Sequence, residues 1–418
     1  MSVLPIFISW RVTNRARRYR YKRDSLTGLH AKRKIERSIM SPLSSLRFIQ
    51  SRTLSLLAVV IGIPLFGLSQ GTHSAILLLL GLALGATMFY ADFGFTGAYR
   101  RLMIHRDRRS VMPQLLFLAL SCFLFSLVLS GDGYGQDVVG ATAPVSLSVA
   151  IGALMFGIGM QLAGGCGSGT LYALGRGSIP MLVTLPAFCF GGFWASLHGW
   201  WQDLPSFGEI VLGEKIGWPL AVALQILFLT MLAWAIKRWT THADKSIPSY
   251  VSHSTWAWWL GPLLLASLCV LTLLVAGHPW TITWAFTLWA AKVAMLLGWD
   301  ANSSYFWQGD FQQHALHSSI LSDTTSLMDI GLIAGTFVAA LLSGGLVFRQ
   351  VVQFRMFVAA LAGGLLMGYG SRIAYGCNIG AFVSGVSSTS LHGWLWILLA
   401  LPGNWLGIQL RRRLGLAV

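Results

Sequence analysis

Two cysteines stand in matching surroundings. Gly157-x-Gly159-x3-Ala163-x-Gly165-Cys166-x2-Gly169 reappears as Gly368-x-Gly370-x3-Ala374-x-Gly376-Cys377-x2-Gly380, with six identities in thirteen ungapped positions and a constant offset of 211 residues. A cysteine set among glycines offers a weak, polarizable S–H donor beside backbone N–H groups that no side chain shields. Helix N-termini and backbone nests bind anions through such N–H groups. A thiolate would repel an anion, so the useful form is the protonated thiol, and a soft sulfur donor suits a soft, sulfur-bearing acceptor. The candidate binding residues are therefore Cys166, Cys377, Gly165, Gly376 and Gly167, with Asn378 beside the second thiol as a hydrogen-bonding side chain or a helix cap.

Charged residues within or beside apolar stretches are few, and intramembrane ionisable groups are functional candidates. Arg372 lies five residues before Cys377 and Arg176 ten after Cys166, so either can balance an anion; Arg176 also reads as a plain cytoplasmic anchor. Asp92 and Lys292 are candidates for a structural ion pair between two halves of the chain. Cys122, Cys189 and Cys269 sit in uninterrupted hydrophobic runs, where a free cysteine is a small apolar side chain. No CxxC pair and no clustered ligands point to a disulfide or a zinc site, and no P-loop points to nucleotide-driven work. No cofactor is expected.

The elements that must position these residues are membrane helices. Of the 418 residues, 55% are hydrophobic and 11% charged, whereas a soluble protein carries roughly a quarter charged residues. Apolar runs at Leu54–Leu68, Ala75–Tyr90, Leu115–Leu129, Val145–Ala163, Pro219–Ile236, Trp256–Ala276, Ile330–Val347 and Phe357–Met367 approach the ~20 residues that cross a bilayer. The fold class is all-α and polytopic, with roughly eight to ten spans. Four glycines in Gly164-Gly165-Cys166-Gly167-Ser168-Gly169 disfavour a helix by about 1 kcal/mol each, so broken or re-entrant chain is expected at the motifs. Unwound backbone at membrane depth needs protein or water around it.

The matched motifs imply an internal duplication, with halves of roughly 51–235 and 255–410, and inversion of one half against the other is the expected arrangement. A second shared signal is Leu-His-Gly-Trp, at Leu197–Trp200 and Leu391–Trp394. Inverted halves would bring the motifs to the midplane from opposite sides, as an hourglass. The net charge of +16 is concentrated outside the apolar runs: residues 1–52 hold thirteen Lys/Arg against Asp24 and Glu36, and further clusters fall at 100–109, 237–245, 349–355 and 411–413. Positive loops stay in the cytoplasm, which places both termini there and reads residues 1–50 as a basic cytoplasmic tail touching anionic headgroups rather than nucleic acid. Segment 300–325 carries acids without Lys or Arg and belongs outside, so one of the stretches 256–276 and 282–298 must be incomplete or re-entrant.

The chain resembles the YeeE/YedE family of sulfur-transport membrane proteins. The resemblance rests on Ala163-Gly164-Gly165-Cys166-Gly167-Ser168-Gly169, on Ala374-Tyr375-Gly376-Cys377-Asn378-Ile379-Gly380, and on Phe93-Gly94-Phe95-Thr96-Gly97-Ala98-Tyr99-Arg100, and covers most of residues 51–418. It implies an internally duplicated permease of a bacterial-type inner membrane that imports thiosulfate or a related sulfur compound, with Cys166 and Cys377 contacting the substrate. The earlier family motif often places a cysteine where Gly94 stands here, so a relay of three thiols would be incomplete. A selenium compound or another sulfur oxyanion is the alternative cargo. Two further readings are a membrane sulfurtransferase carrying a persulfide on Cys166 or Cys377, and a subunit recruiting a cytosolic sulfur-carrier protein through the basic tail.

Overall fold

A computed structural model describes residues 61–62, 65–66, 69–131, 138–240, 257–348 and 353–416. The basic tail 1–50 and most of the expected span Leu54–Leu68 lie outside the described residues. In chain order the helices are α1 (Thr72–Ala91), α2 (Phe95–His105), α3 (Met112–Leu129), α4 (Leu147–Ala163), α5 (Gly167–Gly175), α6 (Ile179–Ser196), α7 (Leu212–Ile216), α8 (Trp218–Trp239), α9 (Ala257–Ala276), α10 (Thr283–Leu296), α11 (Asp310–His317), α12 (Thr324–Ser343) and α13 (Phe354–Ile373). A π-helical turn, Asn378–Val383, then leads into α14 (Ser384–Ser387) and α15 (Leu391–Arg413). A small antiparallel pair, β1 (Pro144–Ser146) with β2 (Ser206–Glu209), is the one sheet among the described residues.

Among the described residues, eight helical stretches are long and apolar enough to cross a membrane. In lipid every backbone polar group must be satisfied internally, and continuous helices do this. Their ends carry the expected signals. Ser146 Oγ accepts the Val149 N–H at 3.3 Å to start α4, and Asp323 accepts the Ser326 N–H at 2.8 Å to start α12. Gly164 and Gly344 close α4 and α12 in the left-handed conformation, at φ 86° and 71°. On α8 the exposed face reads Leu220, Leu224, Leu227, Phe228, Met231 and Trp234, a surface suited to lipid tails and not to water.

The expected incomplete stretch is α10, whose 14 residues rise only about 21 Å against a hydrocarbon core of ~30 Å. The apolar runs left out α6, which is long and apolar enough to cross a membrane, and α15, whose 23 residues include His392, Asn404 and Gln409 and are less apolar. The Leu-His-Gly-Trp match does not mark equivalent places, which corrects its use as a repeat signal. Leu197–Trp200 follows the end of α6, with His198 exposed and its Nδ1 2.9 Å from the Trp194 carbonyl. Leu391–Trp394 opens α15, with His392 buried and its Nδ1 2.8 Å from Ser390 Oγ.

Two helices form the centre. α4 packs on α13 and α15, and α13 packs on α4 and α6. α4 and α13 run antiparallel and cross on glycine: a Cβ at Gly159 would sit 2.6 Å from the Gly363 carbonyl oxygen, and one at Gly370 would sit 2.6 Å from that of Gly152. Such close approach gives dispersion contact over the whole crossing, the main attraction between helices in lipid. Gly159→Leu or Gly363→Val should therefore cost more than the ~1–3 kcal/mol of ordinary overpacking. Fluorescence-detected size exclusion of detergent extracts should show loss of the monodisperse peak for both, and a normal peak for Gly199→Ala, whose added Cβ meets nothing within 4 Å.

Candidate functional site

Both thiols sit where a long helix stops and a short one begins. After α4, Gly164 turns left-handed, Gly165 follows, and Cys166 caps α5 at φ −89°, ψ −166°. After α13, Tyr375 turns left-handed at φ 59°, Gly376 takes φ 149°, and Cys377 precedes the π-helical turn at φ −107°, ψ −164°. The two turns share a left-handed residue, Gly164 or Tyr375, two positions before an extended cysteine, and differ at the glycine between, where only Gly376 has positive φ. Gly376 is required there, since its φ is open to glycine and an added Cβ would meet the Ala381 N at 2.7 Å. Each cysteine carbonyl accepts the first helical N–H groups, Thr170 to Cys166 at 2.8 Å and Ala381 to Cys377 at 2.9 Å.

The sulfurs lie among backbone amides. Gly169 N–H donates to Cys166 Sγ at 3.4 Å, Ser168 Oγ lies 3.5 Å away, and the N–H of Phe95 at the start of α2 faces the same sulfur. The N–H groups of Ile379 and Gly380 face Cys377 Sγ. The two motifs meet: a Cβ on Gly167, next to Cys166, would sit 3.1 Å from Cys377 Sγ and 3.8 Å from Ile282. Cys166 and Cys377 are 1% and 0% exposed. Thus the helix starts at Phe95, Gly167, Thr283 and Asn378 converge, bringing four chain breaks together.

Around them stands an aromatic shell that period and spacing did not reveal. Phe188 meets Phe286 at 4.9 Å between ring centroids, Phe156 meets Trp396 at 5.4 Å, Phe382 stacks on Trp396, and Phe95 meets Phe382 edge-on. Within it several buried donors lack a hydrogen-bond partner among the described residues: Asn378 Nδ2, Trp280 Nε1 and Trp396 Nε1. Tyr99 neighbours Asn378. Trp280 belongs to the same region, because its carbonyl accepts Ser384 Oγ at 2.9 Å. Buried donors without partners are rare in folded proteins and call for a ligand or ordered water.

The charged candidates divide. Arg372 ends α13 with its guanidinium 3.8 Å over Phe306 and 5.9 Å from Trp201, and its Nε has no hydrogen-bond partner among the described residues. At the opposite end of the α4–α13 crossing stand Arg100, whose Nε donates to Gln161 Oε1 at 2.9 Å, and Arg411, which donates to the carbonyls of Gln161 and Leu162 at 3.0 and 3.1 Å. Sequence reading missed this pair, although Gln161 occupies the motif position matching Arg372. Arg176 is held away from the thiols, donating to Tyr172 Oη at 2.9 Å and covering the Phe89 ring, as an anchor would. The expected Asp92–Lys292 pair does not form. Asp92 is exposed in the left-handed cap of α1, while Lys292 Nζ donates to the carbonyls of Leu316 and Ser318 at 2.7 and 2.6 Å. Backbone oxygens satisfy the ammonium locally, so no distant carboxylate is needed. Gly94 caps α2 in extended backbone, its carbonyl accepting Gln114 Nε2 at 2.9 Å.

Apolar helices on every side of a buried, broken-helix centre define a multi-pass membrane protein. The profile of the sulphur transport family matches residues 90–406, and the chain belongs to that family. It is 26% identical over 352 residues to a thiosulfate transporter, TsuA, of Spirochaeta thermophila, covering 78% of this chain and 96% of that one. The TsuA of Escherichia coli is 25% identical over 346 residues, covering 78% and 92%. A probable transporter, YedE, of Salmonella typhimurium is 33% identical over 135 residues, about a third of either chain.

Two glycine substitutions in this site should behave oppositely. Gly167→Ala crowds Cys377 Sγ and should lower stability by about 1 kcal/mol, while Gly94→Ala enters open space at a φ any residue adopts. Thermal unfolding in detergent should show a fall for the first and none for the second.

Proposed function

We propose that this chain is a permease that imports a small sulfur-containing anion, thiosulfate foremost, past Cys166 and Cys377. The observation carrying this reading is the meeting of two thiols at helix starts, ringed by amide N–H groups and by the orphaned donors of Asn378, Trp280 and Trp396. Backbone N–H groups favour an anion without a counter-charge that would trap it. The S–H groups suit the polarizable terminal sulfur of thiosulfate, the aromatic shell excludes water, and Gly165, Gly167 and Gly376 keep the passage narrow. Arg372 at one end and Arg100 with Arg411 at the other would draw the anion into each mouth. The TsuA relatives, named as thiosulfate transporters, support this cargo.

The packing also supports the inverted duplication. α1 packs on α12 as α9 packs on α3, and α4 packs on α15 as α13 packs on α6. Exchanging α1–α6 for α9–α15 maps each pair onto the other. With the basic loops inside, one half runs opposite to the other, and each short motif helix turns back toward the midplane.

In cells lacking other importers, Cys166→Ala and Cys377→Ala should each cut uptake of labelled thiosulfate by more than about tenfold, the effect of losing ~1.4 kcal/mol, with the protein still inserted. Cys122→Ala, Cys189→Ala and Cys269→Ala should transport normally. Full transport by both motif variants would end the thiol role. A stable persulfide mass gain on either motif cysteine would favour a sulfurtransferase. Deleting residues 1–45 tests recruitment of a cytosolic sulfur carrier: unchanged uptake leaves the tail as a topology signal.

A further inference from the structure

Asp329 is the unexplained charge of the membrane domain. It is the one ionisable residue of α12, in the second turn of a 20-residue apolar helix, and it is 0% exposed. Both carboxyl oxygens lack a hydrogen-bond partner among the described residues. A carboxylate buried at membrane depth without a cation or donor is costly, and such residues mark ion or proton pathways.

Its surroundings narrow the choice. Cys189 on α6 and Cys377 at the candidate site are within electrostatic reach, and so is Asp323 at the cap of its own helix. Asp323 is already engaged, accepting the Ser326 N–H at 2.8 Å and Trp284 Nε1 at 2.9 Å. On the packed neighbour α10, Lys292 is bound to two carbonyls and faces Asp323. On α5, Tyr172 is paired with Arg176. On α1 the titratable side chains, His73 and Tyr90, stand in the first and last turns. No basic group therefore meets Asp329 from any of these elements. Nor do three or more His, Cys, Asp or Glu gather anywhere among the described residues, so a metal-cation site is not built here. What remains is a buried carboxyl within electrostatic reach of the second thiol, without a partner among the described residues, and a proton is the simplest cation for it to take.

We propose that Asp329 carries the proton that couples uptake of the anion, one proton per turnover, a role that rests on the permease reading. A dianion moving inward meets an inside-negative potential, and each proton moved with it removes one unit of that opposing charge. The carboxylate takes a proton from the side on which the anion loads, forming an O–H bond. The neutral acid, within electrostatic reach of Cys377, does not repel the anion. The O–H bond breaks on the far side after the anion has left, and the returning carboxylate is ready for the next cycle.

The test uses the full chain purified into liposomes with a pH-sensitive dye inside. In wild type, external thiosulfate should acidify the lumen, and labelled thiosulfate should exchange against unlabelled. Asp329→Asn should lose the acidification completely while keeping exchange, and Asp329→Glu should restore acidification. Exchange in wild type without acidification, or acidification by D329N equal to wild type, overturns the coupling role. If D329N loses exchange as well and D329E restores neither, Asp329 is structural and the proposal falls. If wild type exchanges no thiosulfate, the permease reading fails first and the coupling with it.

Discussion

Broken backbone cannot face lipid. The four chain breaks that meet around Cys166 and Cys377 expose N–H groups that no helix ladder satisfies, so they must be enclosed by protein. The enclosure depends on how closely α4 and α13 approach. Glycine at Gly152, Gly159, Gly363 and Gly370 lets the two backbones touch, and this sets where the ends of both helices fall. Without that crossing the turns at Gly164–Cys166 and Tyr375–Cys377 would have no common interior. The same residue type thus serves twice: in the helices it brings axes together, and after them it lets the chain turn into the space between.

This double use explains what was legible in the sequence. The cysteine motifs could be read because glycine is a poor helix former and a cluster of it in an apolar run signals a break. The long helices could be read because their apolar runs are uninterrupted. α15 was harder, since His392 and Asn404 are buried and hydrogen-bonded inside the protein, and composition does not distinguish a buried polar side chain from a loop. Leu-His-Gly-Trp misled for a related reason. Four residues fit both the end of one helix and the start of another, and only the flanking structure separates the two uses.

Charges were legible as candidates but not as pairs. Lys292 found two carbonyls within its own half, a satisfaction by backbone that residue types cannot announce. Arg100 and Arg411 come from segments more than 300 residues apart and meet through Gln161, a neutral residue that looked unremarkable within the motif. The aromatic shell was hidden too, because buried and lipid-facing rings are alike in a sequence this rich in both.

The electrostatic pattern follows from what the centre must avoid. A cation beside the thiols would hold a dianion tightly and stop its passage, since binding must be weak enough for release. The arginines instead stand at the two ends of the crossing, and the centre offers partial charges alone: amide N–H groups, two thiols, an amide side chain and indole N–H groups. On the proposed permease reading, such donors would replace hydration piecemeal, each weakly, between one cysteine turn and the other. Asp329, within electrostatic reach of Cys377, has the sign of the anion proposed as cargo. A carboxylate there would oppose an anion and a carboxylic acid would not, so under the proposed coupling the protonation of one side chain sets whether an anion is accepted.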